Sequence, residues 1–224
     1  MENIKIIYED EYIICALKKP NILSQGNENT KSLADEIGEY FSNKGENSYV
    51  GTVHRLDKLT SGIVMYSKDE KTTVLLCEMF QKGEIDKTYF AIVEGKPETD
   101  KGEFCDLLYY DRTKNKSFVV KRERKGVKKA LLSFETLSQS TIENKSVSLV
   151  KISLMTGRTH QIRVQFSSRK MPIVGDRRYG SKFNTDGIML YCGKLSFVHP
   201  VTHKKIEIES IPTNGYFEIF GGIL

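Results

Sequence analysis

The sequence predicts an α+β fold with a central mixed, mainly antiparallel sheet and flanking helices. Short apolar runs of strand-like composition outnumber the helical patterns, and the helices fall between them at irregular intervals. Many neighbouring runs are joined by polar turns, which favours antiparallel pairing over a regular β-α-β array. At 224 residues the chain is long enough to bury a good core, as one large domain or as two small lobes.

The first third of the chain predicts strands and two helices. Strands are expected over 4–8, 12–17, 49–56 and 63–66, and a helix over 32–41 that Thr30 or Ser32 caps. A second helix follows, with Ser67-x-x-Glu70 as a capping box and Gly83 as its end. Its core-facing residues are expected to be Leu75, Met79 and Phe80.

The rest of the chain predicts further strands and one short helix. Strands are expected over 87–94, 118–120, 130–137, 146–154, 189–198 and 204–211. The helix is expected over 160–166, and a loop follows it over 167–180.

Charge and cysteine content limit the classes of protein that fit. The formal net charge is +5, and basic residues concentrate in two groups: Lys121, Arg122, Arg124, Lys125, Lys128 and Lys129 in a predicted loop, and Arg169, Lys170, Arg177 and Arg178. Such groups fit a polyanionic partner such as nucleic acid, although a charge run also marks an ordinary solvated face. The four cysteines form no C-x-x-C pair, so we expect free thiols and a cytoplasmic protein.

Membrane, secretion and metal patterns are weak in this sequence. The N-terminus does not resemble a signal peptide, and no apolar run approaches the roughly 20 residues of a membrane span. His199 and His203 are four residues apart, but Pro200 argues against a helix that would present both to one metal. We therefore expect hydrogen-bonded structural histidines, no metal site and no membrane association.

The segment from His54 to Gly62, with the sequence HRLDKLTSG, is the most informative of the chain. An apolar run stops, Asp57 appears between two cations, and a Thr-Ser-Gly turn leads into another apolar run. Asp57 is therefore expected on a loop between strands, where a scaffold can hold a reactive carboxylate while its oxygens stay accessible. A solvated turn acid, paired with Arg55 or Lys58, would produce the same local pattern.

Four segments together resemble the RluA-type pseudouridine synthases. They are HRLDKLTSG at 54–62, KTYFAIVEG at 87–95, TGRTHQIRV at 156–164 and LSFVHP at 195–200, and their order and spacing also agree with that family. The resemblance covers nearly the whole chain. It implies the catalytic fold of that family, with two lobes around an RNA-binding cleft, and isomerisation of uridine to pseudouridine in ribosomal or transfer RNA without a cofactor.

The resemblance also assigns roles to individual residues. Asp57 matches the catalytic nucleophile, Tyr89 the tyrosine that stacks on the target base, and Arg163 the arginine that pairs with the nucleophile. Arg55 matches a residue that assists base flipping, and Ile162 and Leu190 match apolar positions of the base pocket. Sheet or core packing would account equally well for Tyr89, Ile162 and Leu190. The loop cations Lys121, Arg122 and Lys125 are expected to hold RNA phosphates.

The chemistry explains why a carboxylate is needed. Uridine must lose its N-glycosidic bond and gain a bond from C5 of the base to C1′ of the ribose. A carboxylate opens this route by attack at C1′ or at C6, or by promoting elimination to a glycal, and the sequence does not choose among them. An ordinary Asp has a pKa of about 3.9, so it is ionised at neutral pH unless burial raises that value.

The sequence departs from the family pattern at Leu59, where a polar residue is usual, and at 21–23, where glycine is frequent. We expect no S4 RNA-binding domain, since the match begins almost at Met1. The predicted partner is an RNA stem-loop, and we expect a monomer with no obligate protein partner. A catalytically silent RNA-binding or chaperone protein on the same fold is the alternative, and a metal-dependent hydrolase is a distant third.

Overall fold

The computed structural model describes residues 4–26, 29–213 and 215–224. Its strands are β1 (Ile6–Glu9), β2 (Ile13–Lys18), β3 (Gly51–Thr52), β4 (Ser61–Ser67), β5 (Asp86–Glu94), β6 (Lys101–Asp111), β7 (Lys116–Val120), β8 (Val127–Ile142), β9 (Lys145–Leu154), β10 (Leu190–Val198) and β11 (Lys205–Glu209). Its helices are α1 (Leu33–Asn43), α2 (Glu70–Lys82) and α3 (Gln161–Ser167), with short 3-10 helices at Arg177–Tyr179 and Gly215–Phe220. The predicted α+β fold class is confirmed. Across these described ranges, every helix is too short or too polar to cross a membrane.

The chain divides into two compact units, and each is built from two segments. Unit 1 comprises residues 1–86 and 192–210, and unit 2 comprises residues 87–191 and 211–224. Strand β10 therefore begins in unit 2 and continues in unit 1. The expected arrangement of two lobes around an RNA-binding cleft stays a prediction.

Unit 1 has strands in the order β1-β2-β4-β10, with β3 beside β4 and β11 beside β10. Strands β1 and β2, β2 and β4, and β10 and β11 pair antiparallel. The inner strands β2 and β4 carry continuous apolar runs, and the residues of 13–16 and 63–66 are fully buried. Such runs are typical of strands covered on both faces. Helix α1 adds Leu33, Ile37 and Phe41 to this core.

The first turn of each helix of unit 1 is stabilised by an N-cap side chain that accepts a backbone hydrogen bond. Ser32 caps α1 as predicted, because its hydroxyl accepts from the Asp35 N–H while the Asp35 carboxylate accepts from the Ser32 N–H. The predicted cap of α2 is wrong. Asp69 caps that helix by accepting from Thr72, while Ser67 stays in β4. Gly83 ends α2 in the left-handed conformation, as predicted.

The predicted core face of α2 is shifted by one residue. Thr72 and Leu76 are the buried residues of this helix, whereas Leu75, Met79 and Phe80 are only half-buried. The helix is amphipathic with polar residues mixed into its apolar stripe, so the helical period alone did not determine which edge of the stripe faces inward.

The strand predicted over 49–56 is mostly absent, since only Gly51 and Thr52 pair with β4. The following residues leave the ladder and run irregularly to Thr60. Val53 and Leu56 are buried, which explains the strand-like apolar pattern. The backbone N–H and C=O of Leu56 are bonded by a side chain, described below.

Unit 2 has strands in the order β5-β9-β8-β6-β7, and each neighbouring pair is antiparallel. Helix α3, predicted from the sequence, packs against β6 and β7. Phe104 of β6, Phe134 of β8 and Phe166 of α3 form an aromatic cluster with ring centroids 4.8 to 5.7 Å apart. Buried aromatic side chains typically remove about 150–250 Å² each from water, so this cluster contributes strongly to the core.

Strand β6 was not predicted from the sequence. The predicted loop that holds the basic residues of 121–129 was also too long at its C-terminal end. In β6 only Phe104 and Leu108 are buried, and the charged Asp106 takes the position between them on the same face, so the apolar alternation is weak. The basic loop ends at Gly126, because Lys128 and Lys129 belong to β8. Lys121, Arg122 and Lys125 lie in that loop and are exposed.

Gly62 should tolerate no side chain, because its backbone lies in the left-handed region and close to β10. Its φ is +111°, and an added Cβ would lie 2.5 Å from the Cys192 backbone nitrogen and closer still to the Cys192 carbonyl oxygen. We expect Gly62→Ala to lower the free energy of unfolding by more than about 3 kcal/mol, from backbone strain and overlap together. Urea unfolding followed by circular dichroism measures this loss.

Gly83→Ala provides the matched control. Its φ is +76°, but nothing lies within 4 Å of an added Cβ. The control therefore carries the strain of a left-handed alanine alone, about 1 kcal/mol. Equal losses in the two variants would contradict the predicted overlap with Cys192.

Candidate active site

The Asp57 segment of unit 1 is anchored at its start by His54. The Nε2 atom of His54 accepts a hydrogen bond of 3.0 Å from the backbone N–H of Met65 in β4. The imidazole also stacks on Phe80, with ring centroids 4.7 Å apart. Because Nε2 is an acceptor here, the His54 ring is not doubly protonated. His54 therefore acts as a structural link between the segment and β4.

Ser24 holds the residue immediately before Asp57. Its hydroxyl accepts from the Leu56 N–H at 3.0 Å and donates to the Leu56 carbonyl at 3.2 Å. Ser24 is itself held by the Tyr66 hydroxyl, which donates to the Ser24 carbonyl at 2.6 Å. These bonds replace the strand pairing that the backbone lacks after Thr52. Leu56 is thereby fixed, with its side chain buried.

Lys18 holds the residue immediately after Asp57. Its Nζ donates to the carbonyl of Lys58 at 3.1 Å, and also to the carbonyls of Lys19 and Ile22. A turn closes the segment, because the Thr60 N–H donates to the Asp57 carbonyl at 3.0 Å. Hydrogen bonds therefore hold the backbone on both sides of Asp57, as expected for a loop that presents a reactive group.

The side chains of this loop differ in exposure. Asp57 is half-buried, and Arg55 and Lys58 are exposed. Burial lowers the pKa of Lys18 to about 7, an effect that the negative charge of Asp57 opposes. The loop thus presents a partly desolvated carboxylate on a fixed backbone, which can act as a nucleophile or as a base.

In unit 2, the segment TGRTHQ forms a turn that leads into α3. The Thr156 hydroxyl and the Arg158 N–H both donate to Oε1 of Gln161, and Nε2 of Gln161 donates to the Leu131 carbonyl. His160 adopts the left-handed conformation, with φ of +55°. This turn fixes the direction in which α3 presents Arg163.

Arg163 lies in a buried ion pair with Asp176. Its Nε donates to Oδ2 of Asp176 at 2.6 Å and its Nη2 to Oδ1 at 3.0 Å, which is a bidentate contact. The two side chains are 3% and 0% exposed. The guanidinium also lies 5.0 Å from the ring centre of Tyr179. The pairing of Arg163 with Asp57 stays a prediction, whereas the pairing with Asp176 was not foreseen.

Tyr179 links this ion pair to the turn before α3. Its hydroxyl accepts from the Ser117 N–H at 2.7 Å and pairs with Nδ1 of His160 at 3.0 Å. Burial raises the pKa of Tyr179, opposed by the bond from Ser117 and by the positive charge of Arg163. The phenol is therefore neutral at physiological pH: its hydroxyl is bonded to Ser117 and His160, and its ring face contacts the Arg163 guanidinium.

Three further predicted site residues belong to unit 2 and lie on β5, α3 and β10. Tyr89 lies on β5 opposite Ile152 and is 6% exposed. Ile162 and Leu190 are 5% and 3% exposed, which fits core packing and an apolar base pocket equally. The predicted roles of these three residues stay predictions.

The side chains of His54, His160 and His199 take part in hydrogen bonds. Nδ1 of His199 accepts from the N–H groups of Val201 and Thr202, and His54 and His160 have the bonds given above. Within the described ranges, no three His, Cys, Asp or Glu side chains are grouped so that they could hold a metal ion.

Sequence reasoning missed Lys18, Ser24, Asp176 and Tyr179. Asp176 follows a glycine and precedes two arginines, so its surroundings indicated an exposed turn. Its burial follows from tertiary contacts that local sequence does not encode. Lys18 ends β2 as a charged residue after an apolar run, and Ser24 lies in the irregular segment that follows, so no periodicity reveals that either side chain points inward.

Comparison with known proteins identifies the family. Residues 12–168 match the family model described as RNA pseudouridylate synthase. The fold and a carboxylate-bearing loop with this motif thus define an RNA-modifying isomerase, and the RluA-type resemblance is confirmed. The chain belongs to the RNA pseudouridylate synthase family.

Individual relatives agree with this assignment. An uncharacterized RNA pseudouridine synthase of Bacillus subtilis (strain 168), YhcT, is 33% identical over 208 residues, which are 92% of this chain and 67% of that protein. Ribosomal large subunit pseudouridine synthase C of Rickettsia bellii (strain RML369-C) is 31% identical over 194 residues, or 87% of this chain and 61% of that protein. The chain thus spans about two thirds of the length of these curated relatives.

A solved structure supports the fold. The human RNA pseudouridylate synthase domain containing 1 superposes with a TM-score of 0.79 at 21% identity, covering 95% of this chain and 84% of that chain. At this identity the similarity concerns the fold alone.

Asp176→Asn should strongly destabilise unit 2. The substitution keeps the shape of the side chain but removes the negative charge that faces the buried Arg163 guanidinium. Breaking a buried ion pair in this way lowers the free energy of unfolding by about 3–5 kcal/mol. Urea unfolding measures this loss.

Glu135→Gln is the matched control, because it removes the carboxylate charge from an exposed pair with Lys101 in the same unit. Its expected cost is below about 1 kcal/mol. If Asp176→Asn cost no more than this control, the Arg163–Asp176 pair would contribute little to stability.

Proposed function

We propose that this protein isomerises uridine to pseudouridine in ribosomal RNA, with Asp57 as the nucleophile. The observation that carries the proposal is the Asp57 carboxylate on a backbone that hydrogen bonds hold at Leu56 and Lys58. This segment lies within the residues that match the family model. Relatives such as the Rickettsia bellii protein are named for the large ribosomal subunit. That naming favours ribosomal over transfer RNA as the substrate of this chain.

The reaction leaves the atomic composition of the nucleotide unchanged. The bond from N1 to C1′ breaks, the base turns, and a bond from C5 to C1′ forms. The proton at C5 then leaves, and N1 takes up a proton. A carboxylate supports this sequence through attack at C1′ or at C6, or through elimination to a glycal. Each route needs an ionised carboxylate with little hydration, and the half-buried Asp57 fits this need.

The remaining roles follow from the family resemblance. Tyr89 stacks on the target base and relays the C5 proton, and Arg163 stabilises the charge of the nucleophile. Ile162 and Leu190 line the base pocket. Arg55, which is exposed on the Asp57 loop, assists extrusion of the base from its stack at a cost of a few kcal/mol. These roles, a monomeric state and a cytoplasmic location are parts of the proposal.

The second candidate is a catalytically silent RNA-binding protein on the same fold. The exposed loop cations would support binding in either case. The candidates differ only in turnover, so an assay of chemistry separates them.

Asp57→Asn should bind RNA without forming pseudouridine. Asn keeps the shape and an acceptor oxygen but lacks the nucleophilic charge. The substrate is a large-subunit ribosomal RNA transcript with tritium at C5 of uridine, since the reaction releases that label to water. We expect release by the wild type without added cofactor, and a loss of at least about 10³-fold in the variant.

Asp86→Asn is the matched control, because Asp86 is an exposed acid of the same unit. It should release tritium at the wild-type rate, and a gel shift checks RNA binding in all three proteins. Release by Asp57→Asn at the wild-type rate would remove Asp57 from the mechanism. Release from a transfer RNA transcript but not from ribosomal RNA would correct the substrate, and no release from either would favour the silent binder.

The affinity for RNA should depend on salt through the loop cations. Each lysine or arginine that contacts a phosphate adds about 0.7–0.9 to the slope of log affinity against log salt. Replacing Lys121, Arg122 and Lys125 together by Gln should therefore reduce the slope by about two to three. Filter binding over a salt series measures it.

A control for net charge replaces the exposed Lys31, Lys71 and Lys82 of unit 1 by Gln. Its slope should stay near that of the wild type. An equal change in both triple variants would show that the loop makes no particular phosphate contacts.

A further inference from the structure

Lys18 is a charged residue in an unusual position. It is the last residue of β2 and is only 2% exposed. Its Nζ donates to the carbonyls of Lys19 at 3.0 Å, Ile22 at 2.8 Å and Lys58 at 3.1 Å. Lysine is almost never fully buried unless it is paired, and these three carbonyls are the pairing that Lys18 has.

The three acceptors determine the charge of the Lys18 side chain. A neutral amine has two N–H donors, whereas an ammonium has three. Three simultaneous bonds to carbonyls therefore require the ammonium form. All three partners are neutral backbone groups, and among the described residues the acid whose charge acts on Lys18 is Asp57.

We propose that Lys18 is a positioning residue for Asp57: its ammonium fixes the backbone beside Asp57 and stabilises the ionised carboxylate. The inference rests on the proposed role of Asp57 as the nucleophile. It adds a residue of unit 1 to the reaction, alongside the arginine that the family resemblance provides.

Energetics support this role. Burial lowers the pKa of Lys18 to about 7, and the charge of Asp57 works against that effect. An interaction free energy is reciprocal, so a carboxylate that favours the ammonium is itself favoured by it. The bond to the Lys58 carbonyl acts in addition, because it restrains the loop whether or not Asp57 is charged.

The first experiment compares Lys18→Met, which keeps the length of the side chain and removes its charge, with Lys18→Arg, which keeps the charge. Single-turnover tritium release from the ribosomal RNA transcript is measured as a function of pH. Loss of the ammonium makes the ionised Asp57 carboxylate less stable. In Lys18→Met, the acidic limb of the rate profile should therefore lie about one pH unit higher than in the wild type. Lys18→Arg should keep the wild-type limb.

Lys19→Met is the matched control, because it removes the same charge from the adjacent, exposed lysine. Its acidic limb should stay at the wild-type pH, and RNA affinity is measured in parallel. An unmoved limb and an unchanged rate in Lys18→Met would overturn the inference. The same would follow from equal shifts in Lys18→Met and Lys19→Met, since the effect would then be one of net charge.

A second measurement does not require any Lys18 variant to fold. The titration of Lys18 is followed by NMR of the lysine ¹³Cε atoms in the wild type and in Asp57→Asn. Removing the carboxylate charge should lower the titration midpoint of Lys18 and leave that of Lys68, which pairs with Glu9, unchanged. An unmoved Lys18 midpoint would overturn the proposed interaction.

The two proposals can fail separately. Tritium release by Asp57→Asn at the wild-type rate would remove the nucleophile and the inference with it. An inactive Asp57→Asn beside a Lys18→Met protein with the wild-type profile would leave the proposed function intact and overturn the inference alone.

Discussion

The position of Asp57 depends on hydrogen bonds that side chains make to the backbone on either side of it. A segment that leaves a sheet must find other partners for its N–H and C=O groups, and buried unpaired groups are costly. Ser24 supplies both partners for Leu56, and Lys18 supplies one for Lys58. Lys18 is the last residue of β2, and Ser24 lies between β2 and α1. The geometry of the loop therefore depends on these two residues, and not only on the strand-like residues of the motif itself.

In unit 2, surrounding side chains hold the charged Arg163 in a similar way. Arg163 is oriented by the carboxylate of Asp176 and by the face of Tyr179, and Tyr179 is in turn held by Ser117 and His160. Every member of this network is bonded to another, which is the condition under which a buried polar group rigidifies a protein rather than weakening it. In both units, a side chain that we propose to act in the reaction is therefore held on a fixed backbone by the polar residues that surround it.

The sequence predicted most elements, because the apolar runs of β2, β4, β5 and β9 and the cap of α1 are local signals. It also predicted the Asp57 motif and the helix that carries Arg163. It did not predict β6, because only two residues of that strand are buried and charged residues occur among the others. Lys18 and Asp176 could not be predicted for a related reason: lysines and turn acids are normally solvated, and their burial here is decided by residues distant in the chain.

The composition of unit 1 from two chain segments has a consequence for biosynthesis. Strand β4 has β10 as its neighbour, and Gly62 packs against the backbone of Cys192. β3 pairs with β4 only at Tyr66 and Ser67, so a ribosome must translate as far as β10 before the rest of that edge of β4 can be covered. Until then the nascent N-terminal segment exposes an apolar strand with unsatisfied backbone groups, a state prone to aggregation. The nascent chain should therefore need protection by chaperones until β10 has been synthesised.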